Sequence, residues 1–177
     1  VVNHIKGSMA LAHNGNLINS YELRSEFEAK GSIFHTTSDT EVIAHTIIEE
    51  RLKADTIEEA VCEAMNRIKG AYSMVIMSPQ KLIAARDENG FRPLCYGKMA
   101  NGEYVVASES CSLDSVGAEF IRDIEKGEIV VFGKDGITSI KKHCNKSKQT
   151  LCVFEYIYFA RPDSIIDGKN VYEARIK

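Results

Sequence analysis

At Gly70 the hydrophobic pattern of this 177-residue chain changes its period, and that change constrains the fold more than any single motif. Ahead of it, Ile57, Ala60, Val61, Ala64, Met65 and Ile68 recur at the spacing that makes one apolar stripe on a helix. Asp55 or Thr56 is placed to cap that helix. Val42, Ile43, Ile47 and Leu52 predict an earlier helix behind Ser38 and Glu41, which have capping-box spacing. The same spacing at Asn19 and Glu22 opens a shorter helix through Phe27, closed by Gly31. Behind Gly70 the apolar residues come in short runs. Residues 71–77, 82–86, 104–108, 128–132 and 137–141 read as strands, separated by Ser78-Pro79, Glu88-Asn89-Gly90, Asn101-Gly102 and Lys134-Asp135-Gly136. Such short returns favour antiparallel pairing over helical crossovers. Helices gathered first and strands after predict an α+β fold rather than a doubly wound parallel sheet.

The chain is 44% hydrophobic and 27% charged, with a net charge of −3. That is an ordinary globular balance, and it argues against a nucleic-acid or membrane-surface partner. No apolar run approaches the roughly 20 residues of a membrane helix. The opening Val1-Val2-Asn3-His4 has no charged-then-apolar leader pattern. Cys62, Cys95, Cys111, Cys144 and Cys152 are odd in number and include no Cys-x-x-Cys pair. They imply a reducing, cytoplasmic setting, with Cys62, Cys95 and Cys111 as small buried hydrophobes. Residues 1–150 read as one domain, in which 141–149 form a polar, basic, exposed loop, and residues 151–177 read as a connector.

Two short segments hold residues suited to chemistry. Residues 8–12 read as a strand that turns at Asn14-Gly15, since Asn-Gly is the commonest two-residue hairpin turn. The same pair also suits an oxyanion hole. Asn supplies a fixed amide donor, and Gly removes the Cβ that would keep the backbone away from a substrate. Asp39 has two readings as well. A carboxylate in the first helical turn complements the helix dipole, but Ser38 already provides a cap, and a free carboxylate there can pair with the α-ammonium of an amino acid.

Taken together, Ala12-His13-Asn14-Gly15-Asn16 and Thr37-Ser38-Asp39-Thr40-Glu41 resemble the glutamine site of class II glutamine amidotransferases, a family of N-terminal-nucleophile enzymes. The resemblance implies a four-layer αββα sandwich of antiparallel sheets. It implies that Asn14 and Gly15 form the oxyanion hole and that Asp39 holds the glutamine amino group. Three further stretches narrow it. They are residues 87–94, Ala107-Ser108-Glu109-Ser110-Cys111, and Phe154-Glu155-Tyr156-Ile157-Tyr158-Phe159-Ala160-Arg161-Pro162-Asp163-Ser164. These resemble the branch of the family that uses the released ammonia on phosphoribosyl pyrophosphate in the first committed step of purine synthesis. Within them Arg92 and Glu109 read equally as structural braces or as pocket borders.

The resemblance carries further expectations. The family's nucleophile is a cysteine at the first residue of the mature protein, whereas residue 1 here is Val1. It therefore implies a truncated glutaminase domain, inactive alone, with a phosphoribosyltransferase domain and its magnesium beyond residue 177. Some members hold an iron–sulfur cluster. Cys152 would give one of its about four thiolates, or is simply a buried or idle cysteine. Removal of N-terminal strands would leave an open sheet edge near residues 8–12, through which a homo-oligomer would close. The glutaminase part of another class II amidotransferase, and a non-catalytic ligand-binding module of the same fold, are the alternatives.

Overall fold

A computed structural model describes residues 1–176. Three helices precede the long sheet: α1 (Ser20–Ala29), α2 (Asp39–Lys53) and α3 (Ile57–Arg67). The cap of α3 is the one its sequence specifies. Thr56 Oγ1 accepts from Glu59 N, and the Glu59 carboxylate returns to Thr56 N, which satisfies two of the free amides at the helix start. In α2, Ser38 accepts from Thr40 N, but Glu41 turns outward to Thr36 and His35 N instead. These bonds, led by that from His35 N, pull its carboxyl down to about 2. Leu52 lies off the buried stripe of this helix and is exposed.

One sheet has the order β1-β2-β3-β4-β8-β9, built from β1 (Val2–His4), β2 (Gly7–Leu17), β3 (Gly70–Met77), β4 (Leu82–Arg86), β8 (Ile129–Gly133) and β9 (Gly136–Ile140). A second has the order β6-β5-β7, from β5 (Cys95–Lys98), β6 (Tyr104–Ala107) and β7 (Glu119–Asp123). Every pairing within both is antiparallel. Between β6 and β7 runs a short α4 (Ser110–Ser115).

The layers follow from alternation along the strands, because successive side chains of a strand point to opposite faces. In β4 and β8, Ile83, Ala85, Ile129 and Val131 face α1–α3 and join Phe27, Ile43, Ile47, Val61 and Met65 in the main core. Their neighbours Ala84, Val130 and Phe132 face the other way, onto Tyr96 of the second sheet and Leu94 and Ile124, which flank its strands. Beyond that sheet, Cys95 packs on Leu113 of α4. The order is therefore helix, sheet, sheet, helix, which is the expected αββα sandwich.

Several local expectations give way to tertiary contacts. Residues 14–15 do not turn. β2 continues through them and pairs with β3 from Ala10↔Met77 to Leu17↔Gly70. Asn19 stands at the start of α1 but makes no capping bond. Its amide instead donates to Arg67 O at 2.9 Å and accepts from Lys69 N at 2.9 Å, so it ties α1 to the end of α3. The predicted exposed loop at 141–149 holds buried His143 and Cys144, with His143 Nε2 3.0 Å from Cys62 O. The edge near residues 8–12 is part covered, because the first residues fold back as β1 onto Gly7, Ser8 and Met9. Strands β5 and β7 and helix α4 were not expected from the sequence.

The connector is docked on the sandwich. A π-helical turn (Glu155–Phe159) leads into a hairpin of β10 (Ile165–Ile166) and β11 (Lys169–Asn170), followed by α5 (Val171–Ile176). Asp167, at the tip of that hairpin, forms two bonds with the buried Arg86, at 2.7 and 2.9 Å. Arg86 also donates to the carbonyls of Gly90, Arg92 and Ile124, so one guanidinium gathers the 87–93 loop and the connector. Glu109 Oε2 accepts from Arg161 N at 2.8 Å and Ser164 Oγ at 2.7 Å.

Candidate active site

Strand β2 presents its side chains in two directions, and this sorts the site. Ala12, Asn14 and Asn16 are exposed, whereas Leu11, His13 and Leu17 turn toward the helices and are partly or wholly covered. Asn14 lines a cavity of about 260 Å³ together with Ala12, Ser73, Leu94, Val106 and Ser108. The cavity lies where β2 and β3 of the first sheet meet β6 of the second. The Asn14 amide makes no hydrogen bond among the described residues, so both of its N–H groups are free to meet a ligand oxygen. Buried Ser73 is not free: its Oγ donates to Pro93 O at 3.0 Å.

Gly15 has a φ of +141°, in the region that favours glycine. Its missing Cβ serves the strand rather than the cavity. A Cβ there would lie 2.0 Å from Ala71 O, so the glycine lets β2 lie flush against β3. Gly15 does not line the Asn14 cavity.

Asp39 is the first residue of α2. Its Oδ2 accepts from Leu17 N at 2.7 Å, which straps the helix start to the end of β2. The other carboxylate oxygen takes no hydrogen bond among the described residues. Its neighbours Ser38 and Thr40 line a larger cavity, about 770 Å³, with Leu11, Ile33 and His45. Asn14 thus stands on β2, and Asp39 is held against the end of the same strand by its bond to Leu17 N. Between them, His13 Nδ1 lies 3.4 Å from Thr40 Oγ1. Burial holds the His13 imidazole below its usual pKa; the Asp39 carboxylate opposes this and the Arg92 guanidinium adds to it. His13 Nε2 is buried without a partner.

Cys152 is half-buried, and its backbone N donates to Phe91 O at 3.2 Å. No group of three or more metal-ligating side chains forms among the described residues. Cys152 offers one thiol, and a cluster needs about four. No cysteine lines the Asn14 cavity among the described residues. Burial raises the thiols of Cys62, Cys95 and Cys144, that of Cys95 to about 12.

Ser73 and Val106 were not anticipated at the site. The stretches 87–94 and 107–111 marked part of it by resemblance: Leu94, Ala107 and Ser108 line the cavity, and Glu109 and Ser110 hold the connector. Arg92 and Glu109 act as braces, the first on Glu155 and the second on Arg161 and Ser164.

This fold, with a free asparagine amide on the β2 face, defines a glutamine amidotransferase domain. Residues 1–115 match the glutamine amidotransferase domain family, and the chain belongs to that family. Its relatives are amidophosphoribosyltransferases. It is 49% identical over 168 residues to that of Staphylococcus aureus, covering 95% of this chain and 33% of the relative. With the Bacillus subtilis enzyme the identity is 47% over 169 residues, covering 96% and 35%. The chain thus spans about a third of the length of these relatives. The solved structure of glutamine phosphoribosylpyrophosphate amidotransferase from B. subtilis superposes with a TM-score of 0.88 at 45% identity, over 98% of this chain and 37% of that one. A class II domain protein from Silicibacter pomeroyi shares the fold alone, with a TM-score of 0.56 at 17% identity. No helix among the described residues is long and apolar enough to cross a membrane.

Proposed function

We infer that this chain is the glutamine-hydrolysing domain of an amidophosphoribosyltransferase working in the cytoplasm. In this reading the complete enzyme releases ammonia from glutamine and passes it to phosphoribosyl pyrophosphate, giving phosphoribosylamine, glutamate and pyrophosphate. The observation that carries it is Asn14, whose unpaired amide borders a cavity of about 260 Å³. As a nucleophile attacks the amide carbonyl, negative charge builds on its oxygen, and a fixed N–H donor stabilises that charge more than it stabilises the substrate. The strap from Asp39 to Leu17 N holds a carboxylate along the same strand, and its free oxygen suits the glutamine ammonium. The nucleophile must come from outside the cavity lining described here, so residues 1–177 alone are expected to release no glutamate from glutamine. Magnesium bound with phosphoribosyl pyrophosphate, and assembly into a homo-oligomer, belong to the same reading of the complete enzyme.

The test is Asn14→Ala in the complete enzyme. Loss of one such donor is expected to lower the glutamine-dependent rate by about 10²–10³-fold. Synthesis from free ammonia bypasses amide cleavage and is expected to stay intact. Equal loss of both activities would remove Asn14 from the chemistry.

A further inference from the structure

The loop of residues 87–93 lies between the oxyanion strand and the connector. On its inner side, buried Asp87 accepts from Tyr72 N at 3.4 Å, Asn89 N at 2.9 Å and Phe91 N at 3.0 Å. Pro93 O accepts from Ser73 Oγ. Tyr72 and Ser73 are the register partners of Gly15 and Asn14. On its outer side, Arg92 Nη1 reaches Glu155 Oε1 at 2.6 Å, and the guanidinium lies 4.9 Å from the centre of the Phe159 ring. The Glu155 side chain is 5% exposed, and a carboxylate so covered needs its cation. Residues Glu155–Phe159 form a single π-helical turn, a rare geometry that recurs at functional sites. Two backbone bonds join the same pieces: Thr150 N to Asn89 O at 2.7 Å and Cys152 N to Phe91 O. The Arg92 charge also reaches inward far enough to depress His13, the neighbour of Asn14.

We propose that Arg92 is a positioning residue, whose ion pair with Glu155 sets the 87–93 loop against β3 and thereby the placement of Asn14. The connector's seat on the sandwich then governs how well the cavity handles glutamine. The consequence for activity rests on the glutaminase reading, whereas the structural coupling does not.

Hydrogen exchange on the 177-residue chain tests the coupling directly. Arg92→Ala leaves Glu155 buried without its cation, so Glu155→Gln, similar in shape and uncharged, serves as the gentler variant. Both are expected to speed exchange about tenfold at the amides of residues 89–92 and 71–74, with α2 and α3 unchanged. Acceleration confined to residues 150–160, or spread equally to α2 and α3, would overturn the proposal. In the complete enzyme, Glu155→Gln is expected to cut the glutamine-dependent kcat about tenfold and spare the ammonia-dependent rate. Parallel loss of the two rates, or no loss, counts against it. An unmodified enzyme that hydrolyses no glutamine would instead refute the functional reading, and the exchange result would still decide the coupling.

Discussion

Gly15→Ala asks whether β2 is built on close approach of two backbones. The added Cβ would lie 2.0 Å from Ala71 O, 2.7 Å from Ala71 C and 2.9 Å from Tyr72 Cα. All three atoms are β3 backbone, so no side chain can swing aside. Alanine at a φ of +141° brings strain of about 1–3 kcal/mol. Forcing the strands apart adds an overpacking cost of about 1–3 kcal/mol. Gly7 provides the control. It lies in the same strand at a φ of +123°, with nothing within 4 Å of its added Cβ, so Gly7→Ala has the strain without the collision. The expected losses are about 3–4 kcal/mol for Gly15→Ala and about 1–2 kcal/mol for Gly7→Ala. At about 2–4 °C per kcal/mol for a chain of this size, Gly15→Ala should melt about 6–16 °C below the unmodified protein. Circular-dichroism melts, with urea titrations to check the free energies, read this out. Equal losses at the two glycines would show that backbone conformation, and not the approach of β2 to β3, sets the cost.

Asp39→Asn keeps an acceptor for Leu17 N and is expected to hold the melting temperature while raising the glutamine KM in the complete enzyme. Asp39→Ala also loses the charge-assisted bond, worth about 1.5–3 kcal/mol, and an unchanged KM in both variants would take Asp39 out of the site. Asp123 is a pH probe: burial, then the nearby Asp167 carboxylate, raises its carboxyl to about 6, against an ordinary 3.8. A carboxyl whose pKa is raised by folding binds more protons when folded, so its contribution to stability falls as the pH rises from about 4 to about 6. Asp123→Asn should therefore stabilise the chain in urea melts at pH 7.5 and change little at pH 3.5. A gain that is the same at both pH values would refute the assignment. The outer edge of β2 beyond Met9 pairs with no strand among the described residues, which predicts that the 177-residue chain associates as a two-fold dimer through it. Sedimentation showing a clean monomer at high concentration would refute this.

What the sequence determined by itself is what short-range physics settles. The stripe from Ile57 to Ile68 and the Thr56–Glu59 box needed only residues within a few positions of one another, and both formed. The short apolar runs at 82–86 and 128–132 marked two central strands, because a strand buried on both faces between layers reads as a continuous apolar run. Asn14 and Asp39 each had a local structural reading, as a turn and as a helix-dipole partner, and it was the resemblance of the two segments that marked them as a glutamine site. Tertiary structure decided the rest. Asn-Gly favours a turn in isolation, yet eight register pairs with β3 hold it extended. Asn19 has the spacing of a cap, but Arg67 O and Lys69 N, 48 and 50 residues away, supply stronger claims on its amide. His143 and Cys144 sit in a basic stretch and are nonetheless buried, because the loop folds onto α3 at Cys62. Only the fold strapped Asp39 to Leu17 N at the end of the strand that carries Asn14, and only the fold brought Glu155 across 63 residues to Arg92. Such pairings depend on which surfaces the layers bring together, and no local spacing encodes that.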